Sequence, residues 1–254
     1  MKNIIITGAC GHIGNQLINF FLKNKNYNIC AIDIFTEKNK KQLSKLSKIN
    51  KFNFYLCDLS NLQQVKKVTI EINKKYKHIN YIINNAGVTG TFLKKGWNEN
   101  FLNQDVNNFD YAYRVNVSSV FYLIQLLSNK LKKKNSSIVN ISSIYSKLAH
   151  DKKIYKNTNI YNPAGYSASK SGLNQLTRWL ASELAPKVRV NSILLGGISR
   201  KQSSLFKKNY ISKTLLKRMA SEKDVINLVD FLLSNKSSYI TGQEIFLDGG
   251  YSIT

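Results

Sequence analysis

The sequence predicts a single doubly wound α/β domain, a parallel sheet of about seven strands with helices on both faces. Three observations carry this expectation. Strand-like and helix-like stretches alternate along all 254 residues. The strand-like stretches are short apolar runs, the pattern of strands covered on both faces. No linker or repeat interrupts the series, so the chain reads as one domain from 1 to 254.

The elements follow in order. The run "NIIIT" (3–7) is apolar and stops at glycines, which makes it a buried first strand. "IGNQLINFFLKN" (13–24) places Ile13, Leu17, Phe20, Phe21 and Leu22 at helical spacing. "NICAID" (28–33) and "FNFYLCD" (52–58) read as strands on either side of a Lys-rich amphipathic segment. "LQQVKKVTIEINKKY" (62–76) is a helix, and "YIINNAG" (81–87) a fourth strand ending in a turn. A polar loop leads to one long helix over 106–131, then a fifth strand, "SSIVNIS" (136–142). An irregular polar stretch precedes the helix "AGYSASKSGLNQLTRWLASELA" (164–185) and the sixth strand "VRVNSILL" (188–195). A helix near 222–233 and the strand "EIFLDGG" (244–250) complete the chain.

Composition narrows the function classes. No apolar run reaches the roughly 18 residues of a membrane span. The start, "MKNIIITGACGHIG", lacks the longer apolar stretch and cleavage site of a signal peptide, so a cytoplasmic protein is expected. Cys10, Cys30 and Cys57 show no metal or redox spacing and fit a reducing compartment. Only three histidines are present, which argues against a His-based metal site or triad. The net charge of +24 invites a nucleic-acid reading. Lysine is spread along the whole chain, however, and arginine, the preferred base reader, occurs five times; solvated lysine faces account for the charge, and no nucleic-acid partner is expected.

In doubly wound sheets ligands bind beyond the carboxyl ends of the strands, so the residues just after each strand hold the chemistry. After the first strand, Gly8, Gly11 and Gly14 in "TGACGHIG" form a glycine-rich turn into a helix. Backbone N–H groups there, with the helix dipole, can approach a pyrophosphate. Asp33 ends the second strand, where a carboxylate can accept from ribose hydroxyls and repel a 2′-phosphate; this favours NAD(H) over NADP(H). Lys38, Lys40 and Lys41 follow closely and temper that discrimination. Asp58 ends the third strand and could meet an adenine amino group, while the Asn84-Asn85-Ala86-Gly87 turn, taken alone, has no role beyond closing the strand. Tyr166 and Lys170 form the one Tyr-x-x-x-Lys match in the chain, a spacing that puts both side chains on one helix face.

Together these pieces resemble the short-chain dehydrogenases/reductases from the first strand to the last residues. The matching segments, in order, are the glycine loop, Asp58-Leu59, "NNAG" (84–87), Asn116 in "RVNV", Ser143 in "IVNISS", "YSASK" (166–170), "RVNSI" (189–193) and "ITGQEIFLDGG" (240–250). The resemblance implies a Rossmann-type fold and hydride transfer between a nicotinamide and a carbonyl or alcohol carbon. It assigns Tyr166 as acid/base, Lys170 as the cation that lowers the tyrosine pKa and holds the nicotinamide ribose, Ser143 as the contact to the substrate oxygen, and Asn116 as anchor of a water. Alternation along the strand allows either Ser142 or Ser143 to reach the cleft, and alignment with the strand end selects Ser143. Cofactor contacts are implied for Gly8, Cys10, Gly11, His12, Ile13, Gly14, Asp33, Asp58, Leu59, Asn85, Ala86, Gly87, Gly196 and Ile198. A homodimer or homotetramer through the 106–131 helix and the Tyr166 helix is implied too.

Three departures stand out. The Gly8-x-x-Gly11-x-x-Gly14 spacing matches the extended, sugar-nucleotide branch, although the later motifs are those of the main branch. Leu195 replaces the usual proline before Gly196, and Arg200 replaces a threonine that often touches the carboxamide. Ser143 and Tyr166 are also 23 apart, about ten more than usual, through an insertion at 146–164. This insertion resembles that of flagellin-modification oxidoreductases tied to bacterial surface-sugar pathways. The substrate loop, 199–218, carries seven basic residues that would suit a polar, phosphorylated or nucleotide-linked sugar, or merely follow composition. Rival readings are a 3-oxoacyl-type reductase and a non-catalytic nucleotide-binding regulator.

Overall fold

The structure is a computed structural model that describes every residue except 25, 35–42, 89–92, 94, 132–134 and 159. Lys38, Lys40 and Lys41 therefore lie outside the described residues. Seven parallel strands form one sheet in the order β3-β2-β1-β4-β5-β6-β7. They are β1 (Lys2–Thr7), β2 (Tyr27–Asp33), β3 (Phe52–Leu56), β4 (Tyr81–Asn84), β5 (Ser136–Ser143), β6 (Val188–Leu195) and β7 (Glu244–Leu247). The order reverses between β1 and β4, which opens the crevice where ligands sit in such sheets.

The apolar runs explain themselves in the core. Ile4 and Ile6 of β1 face one cluster with Leu17 and Phe21 of α1 (His12–Lys23) and Val225 and Val229 of a C-terminal helix. Ile5, between them, faces the other cluster with Val65 and Ile72 of α2 (Leu62–Lys75) and Leu123 of a central helix. Strands buried on both faces need apolar residues at successive positions, so they lose the polar alternation of a half-exposed sheet.

The long helix expected over 106–131 is continuous but not uniform. It runs as α3 (Val106–Tyr113), a π-helical turn (Arg114–Ser118) and α4 (Ser119–Leu127), then a 3-10 turn. The Ser119 N–H donates to the Arg114 carbonyl, an i→i+5 bond that widens the helix around Asn116. Two short helices stand where none was expected. These are α5 (Lys152–Tyr155), inside the 146–164 insertion and capped by Asp151, and α7 (Ser204–Lys213), inside the substrate loop and capped by Ser203. Between them lies α6 (Ala164–Leu184), and α8 (Glu222–Leu233) follows with a Ser221–Asp224 capping box.

Helix α6 is pinned to the sheet by buried polar side chains. Asn84 Nδ2 donates to Asn140 Oδ1 at 2.7 Å, and Asn140 Nδ2 donates to Thr177 Oγ1 of α6 at 2.8 Å. Asn174 Nδ2, also on α6, donates to Ser146 Oγ at 2.7 Å and to Glu244 Oε2 at 3.0 Å. These bonds fix the rotation and height of α6 more sharply than apolar contact alone, because a shift leaves buried amides unpaired. Replacing Asn140 by Ala is expected to destabilise the fold by about 2 kcal/mol, read as a lower urea midpoint with unchanged slope. A loss under about 0.5 kcal/mol would contradict the pin.

Candidate active site

One cleft of about 930 Å³ follows the carboxyl ends of the strands, within the roughly 300–1,000 Å³ usual for ligand sites. Its wall includes Gly8, Cys10, Gly11, His12 and Ile13 after β1, Asp33 after β2, Asp58 and Leu59 after β3, and Asn85, Ala86 and Gly87 after β4. Ser143, Tyr166, Lys170, Gly196 and Ile198 line its other end. Of the expected site residues, Gly14 and Asn116 stand behind this wall and support it.

At the first end, backbone packs on backbone. Gly8 has φ +63°, and a Cβ there would lie 2.7 Å from Ala86 Cα. A Cβ on Gly14 would lie 2.1 Å from the Gly8 carbonyl oxygen, so any side chain there forces the turn open. Asn85 does more than close a turn: its Nδ2 donates to the Thr7 and Gly8 carbonyls, each at 3.0 Å. The Thr7 Oγ1 returns the link by accepting from the Asn85 and Ala86 N–H groups at 3.1 Å. Helix α1 starts at Gly11 with no side-chain cap, so its first N–H groups face the cleft as unsatisfied donors. This donor set, with the side-chain-free cradle around it, fits a dinucleotide pyrophosphate.

The acidic residues have defined partners. Asp33 Oδ2 accepts from the Cys10 N–H at 2.6 Å, and Oδ1 from the Ile34 N–H at 2.7 Å. Burial raises the Asp33 pKa, against the two N–H groups. The Cys10 thiol is pushed up to about 12 by burial and by Asp33, so it stays protonated and is no nucleophile. Asp58 Oδ1 accepts from the Ser60 N–H and hydroxyl at 2.8 and 2.7 Å, which leaves its other oxygen for the contact to adenine expected of it. His12 Nε2 lies 2.6 Å from Glu222 Oε1 and ties the glycine loop to α8. Among the described residues, no group of three His, Cys, Asp or Glu side chains is arranged to hold a metal ion, and no helix is long and apolar enough to cross a membrane.

At the second end, the strand pleat sorts the two serines. Ser142 Oγ donates to the Lys170 carbonyl at 3.3 Å, facing α6. Ser143 lines the cleft with Tyr166, and its hydroxyl favours the Tyr166 phenolate. Tyr166 and Lys170 lie one turn apart near the start of α6. Lys170 Nζ donates to the Ile141 carbonyl at 2.7 Å and sits 5.9 Å from the Tyr166 ring centroid. A Cβ on Gly87 would come within 3.4 Å of that ammonium and 3.6 Å of Asn116 Oδ1. Asn116 is bonded at both ends of its amide: Nδ2 donates to Ser169 Oγ at 2.9 Å and Oδ1 accepts from the Val88 N–H at 3.3 Å, which leaves one donor and one acceptor position for further contacts.

One electrostatic expectation is corrected. Lys170 was expected to pull the Tyr166 pKa down, yet in the protein alone burial dominates and raises it; the Ser143 hydrogen bond and the Arg200 charge oppose the rise. The same burial pushes Lys170 down from 10.5 to about 8. Its Nζ donates to the Ile141 carbonyl and lies over the Tyr166 ring. Sequence reasoning also missed the aromatic wall at this end, made by Tyr145 and by Tyr155, Phe206 and Tyr210 from the two short helices. Its only signal was the clustering of aromatics in the 145–155 and 206–210 stretches.

The depressed Lys170 pKa has a measurable sign. Between about pH 8 and 10.5 the unfolded chain binds the proton that the folded one has released. The penalty of burying the charge is therefore full below pH 8 and lifts as pH rises to 10.5. Lys170→Met should stabilise the fold at pH 7 by about 1–2 kcal/mol, net of the lost bond to Ile141. Urea unfolding at pH 7 and pH 10 checks this: the advantage shrinks at the higher pH, and a less stable variant at pH 7 contradicts it.

Comparison with known proteins agrees with this geometry. A family model described as enoyl-(acyl carrier protein) reductase matches residues 18–252. A 3-oxoacyl-[acyl-carrier-protein] reductase of Thermotoga maritima is 31% identical over 260 residues, 99% of this chain and 98% of that one. The post-translational flagellin modification protein A of Campylobacter coli is 30% identical over 267 residues, again 99% and 98%. The crystal structure of a short-chain dehydrogenase from Leptospira borgpetersenii with bound NAD+ superposes with a TM-score of 0.83 at 31% identity, covering 99% of this chain and 92% of that one. With its seven-stranded parallel sheet and its Ser143–Tyr166–Lys170 cleft, the chain belongs to the short-chain dehydrogenase/reductase family of NAD(P)-dependent oxidoreductases.

Proposed function

We propose that the chain moves a hydride between NAD(H) and a carbonyl or alcohol carbon of a polar, sugar-derived substrate, with Tyr166 as proton donor and acceptor. The observation that carries this reading is the meeting of Tyr166, Lys170 and Ser143 in one cleft with the uncapped start of α1. The bound nicotinamide supplies the hydride. Ser143 and Tyr166 meet the substrate oxygen together, one holding it and the other exchanging the proton. Gly8, Gly11, Gly14 and the α1 N–H groups would hold the pyrophosphate, Asp33 the adenosine ribose, and Lys170 the nicotinamide ribose. A ribose contact would favour the charged form of Lys170 despite its burial, and that charge, with the cation of an oxidised nicotinamide, would lower the Tyr166 pKa.

Asp33 supports NAD(H) over NADP(H), since a half-buried carboxylate at this strand end repels a 2′-phosphate. A sugar-derived substrate is supported by the insertion at 146–164, which delivers Tyr155 to the cleft and resembles that of flagellin-modification oxidoreductases; the Campylobacter coli relative is a flagellin modification protein. The Thermotoga maritima relative favours a second reading, reduction of 3-oxoacyl thioesters. Trp179 of α6, half exposed and 6.1 Å from Phe121 of α4, supports a homodimer or homotetramer through these helices.

Tyr166→Phe should lower kcat by roughly 10²–10⁴-fold while NADH affinity, from fluorescence titration, stays within about threefold; unchanged turnover is incompatible with the proton role. Asp33→Asn should cut the NAD/NADP ratio of kcat/KM by at least about tenfold. A ratio that stays put assigns cofactor choice elsewhere. Nucleotide-linked and phosphorylated sugars assayed beside a 3-oxoacyl thioester separate the two substrate readings, and turnover confined to the thioester rejects the first.

A further inference from the structure

The seven basic residues of the 199–218 segment part company in the structure. Lys213 is taken by Asp151, and Arg218 pairs with Asp224 through contacts of 2.8 and 2.9 Å. Lys217 donates to the Ser212 carbonyl at 3.4 Å. Lys201, Lys207 and Lys208 do not line the cleft; Arg200 does.

Its position is built. The Arg200 N–H donates to Gln202 Oε1 at 2.6 Å, and Gln202 Nε2 donates to the Ile198 carbonyl at 2.8 Å. Ile198 in turn forms a parallel bridge with Ala220. The guanidinium itself has no hydrogen bond or ion pair to any described residue, and its charge reaches the Tyr166 hydroxyl.

The charges along the cleft are divided. Asp33 and Asp58 lie at the ends of β2 and β3. Among the described lining residues at the Tyr166 end, the charged ones are Lys170, committed to the Ile141 carbonyl, and Arg200. The same cleft is lined by a packed aromatic face. The Tyr155 hydroxyl donates to the Tyr145 hydroxyl at 2.7 Å, and the Tyr155 ring packs 5.9 Å from Phe206. A rigid aromatic face suits the C–H face of a sugar ring, and an uncommitted guanidinium suits an oxyanion, which it can hold through two parallel N–H bonds.

We propose that Arg200 is the specificity-determining contact for a substrate oxyanion, a phosphate or carboxylate carried by the sugar-derived molecule that reacts at Tyr166. This deepens the sugar reading above and rests on it. The basic character of the loop then reduces to one working cation, with the other lysines serving solvation or the clamp between α5 and α7.

The test compares kcat/KM for three-member sets, each a sugar phosphate, the matching uronate and the neutral parent sugar, in wild type, Arg200→Gln, Arg200→Lys and the control Lys207→Gln. Wild type should prefer an anionic member by about tenfold or more, and the phosphate and uronate arms tell which oxyanion is meant. Arg200→Gln should lose that preference through substrate KM, with cofactor KM within about twofold. Arg200→Lys should regain part of it, and Lys207→Gln should match wild type. A preference that survives in Arg200→Gln overturns the assignment and leaves the sugar reading intact, as does a loss that falls on cofactor KM. Failure of wild type to act on any set, with NADH still bound, overturns both.

Discussion

The ammonium of Lys170, buried beneath the carboxyl edge of the sheet and held by the Ile141 carbonyl, is the interaction on which the rest of the cleft depends. A charge in that position is costly, and burial alone brings its pKa to about 8. The fold tolerates it because α6 cannot retreat. The Asn84–Asn140–Thr177 chain and the Asn174 contacts to Ser146 and Glu244 hold the helix at one height over β5 and β7. A buried cation and a half-buried phenol thereby line one cleft, and perturbed titratable groups gather at functional sites in this way.

The two ends of the cleft solve different physical problems. At the α1 end, the groups proposed to hold the cofactor are backbone donors, and close backbone packing keeps side chains away: glycines whose Cβ atoms would strike backbone, and an Asn85 that staples the loops together. At the Tyr166 end the groups are side chains, and their behaviour depends on solvent exclusion. There Tyr155 of α5 and Phe206 and Tyr210 of α7 line the cleft and pack into one apolar cluster. The insertion thus adds a wall to an otherwise shared chemical plan, and the clamp of Asp151 on Lys213 joins the two short helices that form it.

Much of this was legible in the residues. Apolar runs such as Ile4–Ile5–Ile6 give strands buried on both sides, and residues after the strand ends point to the cleft without any knowledge of contacts. What stayed hidden depends on three-dimensional packing. The π-helical turn around Asn116 has no periodic signature, because one widened turn leaves the apolar stripe of the helix almost unchanged. The four-residue α5 is too short to show periodicity at all. The electrostatics were misjudged for a related reason: spacing shows that Lys170 is near Tyr166, but only the folded surroundings show that desolvation raises the Tyr166 pKa against Ser143 and Arg200. Likewise, seven basic residues look equivalent in sequence until Asp151 and Asp224 claim two of them and one alone faces the cleft.

The central claim is that Tyr166 works as an acid and base because cationic charge reaches it once the cofactor is in place. The most direct measurement is the titration of Tyr166 by ¹³C-tyrosine NMR, assigned with a phenylalanine variant, in the free protein and in the NAD+ complex. The account predicts a pKa above the ordinary 10.0 in the free protein and below it in the complex, with a smaller fall for NADH. A value above 10.0 in both states would contradict it.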